Sequence, residues 1–444
     1  MLDVKSFRWP ETLFALSCAS GLFVYGVAVG RYEVFPYRML ASATDSLSLV
    51  VRHRGTLLGS RPTEFLGPSR YPGAGVTTRH ADRMAPGVTL LSGFFEGGNE
   101  IRLIRSDGSI VNRWPVRFSE LFPNTDHVEP KTNVPRSDWN AEIHGALPLR
   151  DGSVVFNFNY LGTAKLDRCG AVQWTLPHMT HHVVSPGVND TLLIPSYRHV
   201  VRESRFEELH PPYLDEMILR VSLDGKVLSE ISVLDLLYRN NYQGVLFRTH
   251  PSGDFIHVND VEELPAALAD RFPMFEPGDL MLSLRSGSVV LVLDPRTERI
   301  KWYQAGPWRG QHDPDFLPSG RILIFNNNED RTLTGSLFGG SNIMEVDPGS
   351  GEVKYRYGAD PGQRMYTESS GKHQALPGGN VLITEAKVGR VIEVDPNGQI
   401  VWEFINRYDD EALALVSEAT RYPADYFSVA DWSCPRPGPA VARK

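Results

Sequence analysis

A β-hairpin pattern that recurs six times constrains the fold of this 444-residue chain more than any other feature. Each copy begins with an aspartate, passes through a turn that usually holds glycine, and continues as an alternating strand that mostly ends in an aromatic residue. Apolar strands such as LVLD, MEVD and IEVD lead into the copies, so the turn lies in the middle of a hairpin. The copies begin at Asp107, Asp167, Asp224, Asp294, Asp347 and Asp395.

A second hairpin accompanies each copy, and it begins with a histidine, runs through a Pro/Gly turn and enters another apolar strand. These histidines are His80, His144, His182, His257, His312 and His373. Equivalent turn positions of the aspartate hairpins lie 62, 55, 73, 53 and 47 residues apart. Four short strands repeated six times predict an all-β fold, a six-bladed β-propeller whose radial closure protects its strand edges.

Some segments fall outside the strict repeat. Two of them qualify for closing the ring, residues 72–78 and the stretch after Trp402, and the sequence leaves both open. We expect a short helix at 265–271 inside the insertion 262–277, and a second helix at 409–420, where apolar residues follow helical spacing. The aromatic residues at one repeat position are predicted to pack between neighbouring sheets: Trp174, Trp302, Tyr355 and Trp402.

The N-terminus carries a different signal. Residues 12–30 contain no charge and have about the length needed to cross a hydrocarbon core. A cleaved signal peptide would need small residues directly after this run, but Arg31 and Glu33 intervene. We therefore expect one uncleaved transmembrane helix before the propeller, and a single-pass membrane protein with its propeller on the extracytoplasmic (periplasmic) side. The predicted divisions are an anchor at 1–40, a linker at 41–75, the propeller at 76–432 and a tail at 433–444.

Composition and motifs exclude several functions. A net charge of -8 and a pI near 5.9 argue against a nucleic-acid partner. The three cysteines, Cys18, Cys169 and Cys434, are too few for a disulfide scaffold or a zinc site, and whether the last two pair stays open. The chain has neither a phosphate-binding glycine loop nor a Gly-x-Ser-x-Gly elbow, and we predict no cofactor.

The histidine that opens each repeat allows two interpretations. A propeller's innermost strands line its channel, so six of the thirteen histidines are directed towards one axis. Each can be a structural residue with satisfied nitrogens, or together they can form a cluster in which imidazoles suppress one another's protonation and act as neutral nucleophiles or bases. Metal binding is disfavoured, because His312 and Asp313 are adjacent on a strand and point to opposite faces.

A donor set suited to an oxyanion such as sulfate surrounds the fourth histidine. His257 and Asn259 are two residues apart, so their side chains share one face of a strand. Arg285 follows in the next strand, within reach of a hairpin neighbour, although a surface ion pair is its alternative role.

These residues carry a resemblance to the arylsulfate sulfotransferase family. It covers most of residues 76–430 and rests on the ordered segments HVNDVEELP with LMLSLRSG, GQHDPDFLPSGRILIFNNN, and GKHQALPGGNVLITEAKVGRVIEVDPNGQIVWEF. The resemblance implies a six-bladed propeller that moves a sulfuryl group from an aryl sulfate to a phenolic or other hydroxyl acceptor without a nucleotide donor. It also implies a covalent sulfohistidine intermediate and ping-pong kinetics, with no metal.

Site residues follow from the resemblance position by position. His312 matches the nucleophile, and His257, Asn259 and Arg285 match the residues that clamp the sulfate. An earlier histidine matches either His181 or His182, of which repeat phase favours His182. The alternatives are a membrane-anchored, non-catalytic propeller that binds a glycan or a partner protein, and a quinone-linked dehydrogenase. The donor, the acceptor and the oligomeric state, a homodimer included, stay open.

Overall fold

One long helix, Trp9–Tyr32, is the main element of the N-terminal unit in the computed structural model, which describes residues 9–32, 34–36, 62–249, 252–332 and 334–434. Its span Pro10–Tyr32 has a mean hydropathy of 1.9, so the helix is long and apolar enough to cross a membrane. Cys18 is exposed on it. Residues 41–61 of the predicted linker and 435–444 of the predicted tail lie outside the described residues.

Six antiparallel sheets around a central channel form the second unit, a six-bladed β-propeller as predicted. The strands of each blade are named inner, second, third and outer, counted from the channel. In this order, blade 1 has Val416–Tyr422, Val88–Phe95, Gly98–Arg105 and Ile110–Pro115; blade 2 has Ile143–Pro148, Val154–Phe158, Gly162–Leu166 and Val172–Leu176; blade 3 has Ser185–Gly187, Thr191–Val200, Tyr213–Ser222 and Val227–Ser232. Blade 4 has Val258–Glu263, Leu280–Leu284, Val289–Asp294 and Arg299–Ala305; blade 5 has His312–Phe316, Ile322–Asn326, Asn342–Val346 and Val353–Tyr357; blade 6 has Lys372–Ala375, Val381–Glu385, Arg390–Val394 and Ile400–Ile405.

Both ends of the propeller sequence close the ring. Gly75–Arg79 adds a fifth strand to the outer edge of blade 6, beside Ile400–Ile405. Val416–Tyr422 becomes the inner strand of blade 1, beside Val88–Phe95. The two segments that the sequence left as alternatives therefore both take part.

Short elements connect these strands. Leu66–Pro68, within the predicted linker, pairs with Ala412–Ala414 as a two-stranded ribbon. The helices are Phe118–Leu121 and Val233–Arg239, and the 3-10 turns are Lys131–Asn133, Asp138–Asn140, Gln243–Arg248, Ala269–Arg271, Pro361–Gln363, Pro377–Gly379 and Ala386–Val388. The helix Val233–Arg239 is capped by Ser232, whose side chain accepts a hydrogen bond from the Asp235 N–H.

Two helix predictions fail here. The predicted helix at 409–420 is replaced by the strands Ala412–Ala414 and Val416–Tyr422, because the apolar run ALALV pairs on two sides and supplies the ring closure. Burial on both faces of a strand gives a continuous apolar run that periodicity alone does not distinguish from a helix. The helix expected at 265–271 shortens to the 3-10 turn Ala269–Arg271.

Trp174 and Trp402 pack between neighbouring blades as predicted, and Trp302 is partly buried, whereas the prediction is wrong for Tyr355, which is 56% exposed. The Trp402 Nε1–H donates to the Ser106 carbonyl of blade 1 at 2.9 Å, and Trp174 donates to the Leu223 carbonyl of blade 3 at 2.9 Å. Trp114 makes the same contact with the Asp167 carbonyl at 2.9 Å. Each indole thus contributes both apolar area and one hydrogen bond to the blade junction.

A disulfide between Cys169 and Cys434 fastens the end of the described chain to blade 2. The segment that follows the inner strand of blade 1 crosses to blade 2, where Ser428 N–H donates to the Arg150 carbonyl at 2.8 Å. Trp432 packs edge-on against Trp114. The pairing that the sequence left open is therefore present.

Candidate functional site

Four imidazoles meet at the end of the channel where the inner strands begin. Inner strands of a propeller run in one direction along the axis, so residues at their starts converge. The His182 ring lies 4.7 Å from His144, 4.9 Å from His257 and 6.5 Å from His312, measured between ring centroids. His182 is the centre of this cluster, which comes from blades 2 to 5.

The other two repeat histidines lie elsewhere. His80 is exposed at the end of the outermost strand of blade 6, so the expectation that it faces the axis is wrong. Its hairpin supplies the outer edge of the ring and not an inner strand. His373 is buried further along the channel, beside Asp315.

His181 stands behind His182 and away from the other imidazoles. The two Nδ1 atoms are 2.8 Å apart, so one ring donates to the other. His181 Nε2 lies 3.1 Å from Glu216 Oε2, and Tyr160 stacks on the His181 ring at 4.8 Å. Of the two histidines that the sequence did not separate, His182 is the one in the cluster.

Hydrogen bonds fix the tautomer of His312. Its Nδ1 lies 2.6 Å from Asn327 Oδ1 and 3.1 Å from the Gly310 carbonyl, and both are acceptors, so Nδ1 carries the proton. The orientation of the Asn327 amide follows from its Nδ2, which donates to the Thr367 and Ser370 carbonyls. His312 Nε2 consequently presents a lone pair, which accepts the Ser370 N–H at 3.2 Å.

His257 is oriented by a carboxylate. Its Nδ1 lies 2.5 Å from Asp254 Oδ2, and the Tyr160 hydroxyl donates to the same Asp254 oxygen at 3.3 Å. Although burial opposes it, the neighbouring His257 lowers the pKa of Asp254. An ionised Asp254 accepts from Nδ1 and leaves His257 Nε2 towards the cluster.

The predicted sulfate-clamping residues border this cluster. Asn259 lies on the inner strand of blade 4, lines the narrow channel next to His312 and His144, and donates from Nδ2 to the Gln311 carbonyl at 2.7 Å. Its Oδ1 is buried without a hydrogen bond to any described residue. Arg285 lies across from His257, to whose carbonyl its backbone N–H donates at 2.9 Å.

Arg285 forms the ion pair that the sequence allowed as its alternative role, and it keeps one further donor. Its Nη2 donates to Glu329 Oε2 at 3.0 Å, while Nε is buried and makes no hydrogen bond within the described part of the chain. A pocket of about 380 Å³ opens beside it. This pocket is lined by Arg285, Arg309 and Arg331 together with Asp254, Glu329 and Gly310, so it is a polar entrance next to the imidazoles.

The cluster is electrostatically biased towards neutral imidazoles. Burial lowers the pKa values of His144 and His181 to about 4. Burial lowers the pKa of His182 well below its usual value, and the adjacent His144 and His257 lower it further. For His312, burial and the Arg285 guanidinium have the same effect. His144, His181, His182 and His312 are therefore neutral at pH 7.

Three residues at the site have strained backbone conformations. His182 and His257 have φ values of 53° and 55°, and Ser370, which meets His312 Nε2, has a φ of 58°. Non-glycine residues adopt this left-handed region at a cost of about 1–3 kcal/mol, and such residues concentrate at functional sites. The surrounding sheets therefore hold these side chains in orientations that an ordinary strand would not give.

Three residues in the site were not predicted. Asn327 lies in the run Asn326–Asn328 directly after a buried strand, a signal visible in the sequence. Glu216 is a charged residue inside the apolar strand Tyr213–Ser222, which is a second signal of this kind, and the structure buries it fully. Asp254 precedes His257 by three residues, and nothing in its spacing distinguishes it from a loop aspartate.

Comparison with known proteins gives one family and several distant structures. The arylsulfotransferase (ASST) family matches residues 145–407. A Bacteroides caccae protein of unknown function shares 15% identity over 75% of this chain and 98% of its own, with a TM-score of 0.46. A streptogramin B lyase shares 12% identity over 77% of this chain and 87% of its own, with a TM-score of 0.40. Virginiamycin B lyase from Staphylococcus aureus shares 10% over 60% of this chain and 70% of its own, with a TM-score of 0.36. No curated protein matches.

Proposed function

The chain belongs to the arylsulfotransferase (ASST) family, and on that premise we propose that it transfers a sulfuryl group from an aryl sulfate to a phenolic or other hydroxyl acceptor through a sulfohistidine at His312. The observation that carries this proposal is the lone pair of His312 Nε2, fixed by Asn327 on the opposite nitrogen. A sulfate monoester is anionic, and a neutral nitrogen attacks its sulfur without charge repulsion.

In the first half-reaction, Nε2 attacks sulfur in line with the aryl oxygen. The N–S bond forms as the S–O(aryl) bond breaks, and the aryl oxygen leaves with the bonding electron pair. An approaching donor replaces the Ser370 amide at Nε2, and this N–H then lies beside the sulfuryl oxygens. Asn327 Oδ1 accepts the hydrogen bond from Nδ1–H throughout the reaction and stabilises the imidazolium that develops.

Glu216, His181 and His182 supply the proton that the leaving oxygen takes. Burial raises the pKa of Glu216 well above its usual value, and the nearby Asp254 carboxylate raises it further, so both favour the protonated form of Glu216. The contacts of 3.1 Å and 2.8 Å form a path from Glu216 through His181 to His182. His182 donates to the leaving oxygen while Glu216 becomes ionised, and the acceptor hydroxyl returns the proton in the second half-reaction.

The sulfuryl oxygens are held by groups around the cluster. The Arg285 Nε, which is buried without a hydrogen bond to a described residue, is a charged donor for this purpose. Asn259 Nδ2 has a second N–H that supplies a further donor, while His257 is oriented by Asp254 with its Nε2 towards the cluster. Such donors act most strongly when the transition state concentrates charge on the oxygens they face, and the loss of one typically costs about 10²–10³ in turnover.

The test is transfer from nitrophenyl sulfate with phenol as acceptor, together with capture of a labelled adduct from ³⁵S donor in the absence of phenol. We expect one label per wild-type chain on His312, ping-pong kinetics, and no turnover by His312→Ala. Asn259→Ala should retain the adduct but form it about 10²–10³ times more slowly.

His80→Ala is the matched control, because His80 opens a repeat but is exposed and remote from the cluster. It should behave as the wild type. Equal labelling of His312→Ala and wild type would show that another residue is the nucleophile.

We also propose that the propeller lies on the extracytoplasmic side. The helix Trp9–Tyr32 is long and apolar enough to span the membrane, and the Cys169–Cys434 disulfide is typical of an oxidising compartment. Thiol alkylation of cells before lysis, followed by reducing and non-reducing electrophoresis, tests this location. Free Cys169 and Cys434 in the cellular protein would contradict it.

A further inference from the structure

The end of the channel opposite the four imidazoles carries a second group of chemically active side chains. The inner strands run towards this end, where a cavity of about 650 Å³ opens. Its polar lining is mostly carboxylates, with Lys372 among them: Asp260, Glu262, Glu263, Asp313, Asp315 and Glu418. The imidazoles of the cluster do not line this cavity in the described chain.

From this arrangement we propose that Asp313, Asp315 and His373 bind a divalent transition-metal ion. One ligand atom from each residue lies within 4.8 Å of the other two. His373 Nδ1 is 3.1 Å from Asp315 Oδ2 and 3.7 Å from Asp313 Oδ2. Neighbouring ligands at bond lengths of about 2.0–2.2 Å from one ion are themselves about 3.0–3.6 Å apart, so small side-chain adjustments suffice.

His373 has the environment of a ligand. It is 3% exposed, and neither ring nitrogen makes a hydrogen bond with a described residue despite the short approach to Asp315. Asp313 Oδ1 is 2.7 Å from Lys372 Nζ, whereas Oδ2 accepts the His373 backbone N–H at 2.7 Å and keeps a second lone pair on the atom that lies 3.7 Å from the His373 imidazole. An ion can therefore bind without displacing Lys372.

Asp260 gives an independent indication of a cation. It is only 4% exposed, lines the cavity, and makes no hydrogen bond or ion pair with the described residues. Six carboxylates and a single lysine line this cavity, so carboxylates outnumber cationic side chains among its described lining residues. Two carboxylates with one imidazole suit manganese or zinc better than calcium, which prefers oxygen ligands alone.

The proposed ion would join two blades. Asp313 and Asp315 come from the inner strand of blade 5, and His373 comes from the inner strand of blade 6. The ion would stabilise the ring further along the channel from His312, because Asp313 lines the same narrow passage as His312 and Asn259. Its binding does not require sulfuryl transfer and is measured without it.

Mn²⁺ is the probe, because its free form gives a sharp electron paramagnetic resonance signal that binding broadens. Full-length protein in detergent is stripped with EDTA, dialysed and titrated with Mn²⁺, and thermal unfolding is recorded with and without the ion. We expect one Mn²⁺ per chain and a higher Tm in its presence. Asp315→Asn and His373→Gln should weaken binding at least about 10-fold and abolish the Tm rise.

Asp360→Asn is the matched control, since Asp360 is an exposed carboxylate just before blade 6 and should bind Mn²⁺ as the wild type does. Asp315 is about one-third exposed, so its variant carries the test if His373→Gln does not fold. Mn²⁺ that stays free throughout the titration, or binds both variants as tightly as wild type, overturns the proposal.

Discussion

Neutral histidines in the cluster link the stability of the propeller to pH. The pKa of His144 falls to about 4 in the folded chain because the ring is buried, whereas an exposed histidine titrates near 6.5. Between these values the unfolded chain binds more protons than the folded chain. The contribution of neutral His144 to the free energy of unfolding is therefore complete above about pH 6.5 and is lost progressively as the pH falls towards 4.

Replacement of His144 by asparagine should remove this dependence at one site. Urea unfolding at pH 7, 6 and 5 should give a free energy of unfolding that falls less steeply with acidification in His144→Asn than in wild type. The expected difference in slope is about 1 kcal/mol per pH unit. Buried carboxylates with raised pKa values contribute equally to both proteins, so the difference isolates His144. His80→Asn should keep the wild-type slope, and an unchanged slope in His144→Asn would contradict a depressed pKa.

The sequence predicts which residue types lie in the site, whereas the fold determines which partners contact them. Repeat phase singled out His182, His257 and His312, because each starts an inner strand or comes shortly before one. The same phase misassigned His80, since a hairpin at the ring closure does not supply an inner strand. Asn327 and Glu216 reach the site from neighbouring strands, and such long-range contacts leave no spacing signal.

The blade junctions depend on repeated contacts between an outer-strand indole and the next blade. Trp402 is fully buried, and its Nε1–H is the donor for the Ser106 carbonyl. Phenylalanine keeps most of the apolar contact but leaves that carbonyl without its indole donor. An unpaired buried acceptor costs about 1–3 kcal/mol.

Trp402→Phe should accordingly lower the free energy of unfolding by about 2 kcal/mol, as measured in denaturant. Trp302→Phe is the matched control, because Trp302 is partly exposed and its Nε1 makes no hydrogen bond with the described residues. Equal losses in the two variants would mean that ring packing, and not the hydrogen bond, stabilises the junction.

Hairpins were predictable because alternating apolar residues and turn chemistry are local signals. The closing strand Val416–Tyr422 was not, because its partner Val88–Phe95 is more than 300 residues earlier and tertiary pairing overrides the helical spacing of its apolar residues. Tertiary packing also overrides the local signal in the insertion 262–277. It packs against blade 5, and only the 3-10 turn Ala269–Arg271 forms where the sequence predicted a longer helix.

On the scale of the whole molecule, the disulfide joins residues 265 apart in sequence and holds the C-terminal segment on blade 2. A cross-link that closes so long a loop strongly restricts the unfolded chain. Such disulfides typically raise the free energy of unfolding by about 2–5 kcal/mol. Cys434→Ser should lower the free energy of unfolding by this amount in guanidinium titration. Cys18→Ser, on the exposed helix, should leave it unchanged, and equal stabilities of Cys434→Ser and wild type would show that the tail contributes nothing to the ring.

Closure from both ends makes the order of synthesis matter. The strand Gly75–Arg79 leaves the ribosome early, but its partner Ile400–Ile405 is translated more than 300 residues later, and the inner strand of blade 1 comes later still. At about 5–20 residues per second, the first blade waits many seconds for its innermost strand. A polypeptide released before Tyr422 would retain an open sheet edge on which chaperones and proteases can act, so only complete translation products form rings without an unpaired inner edge.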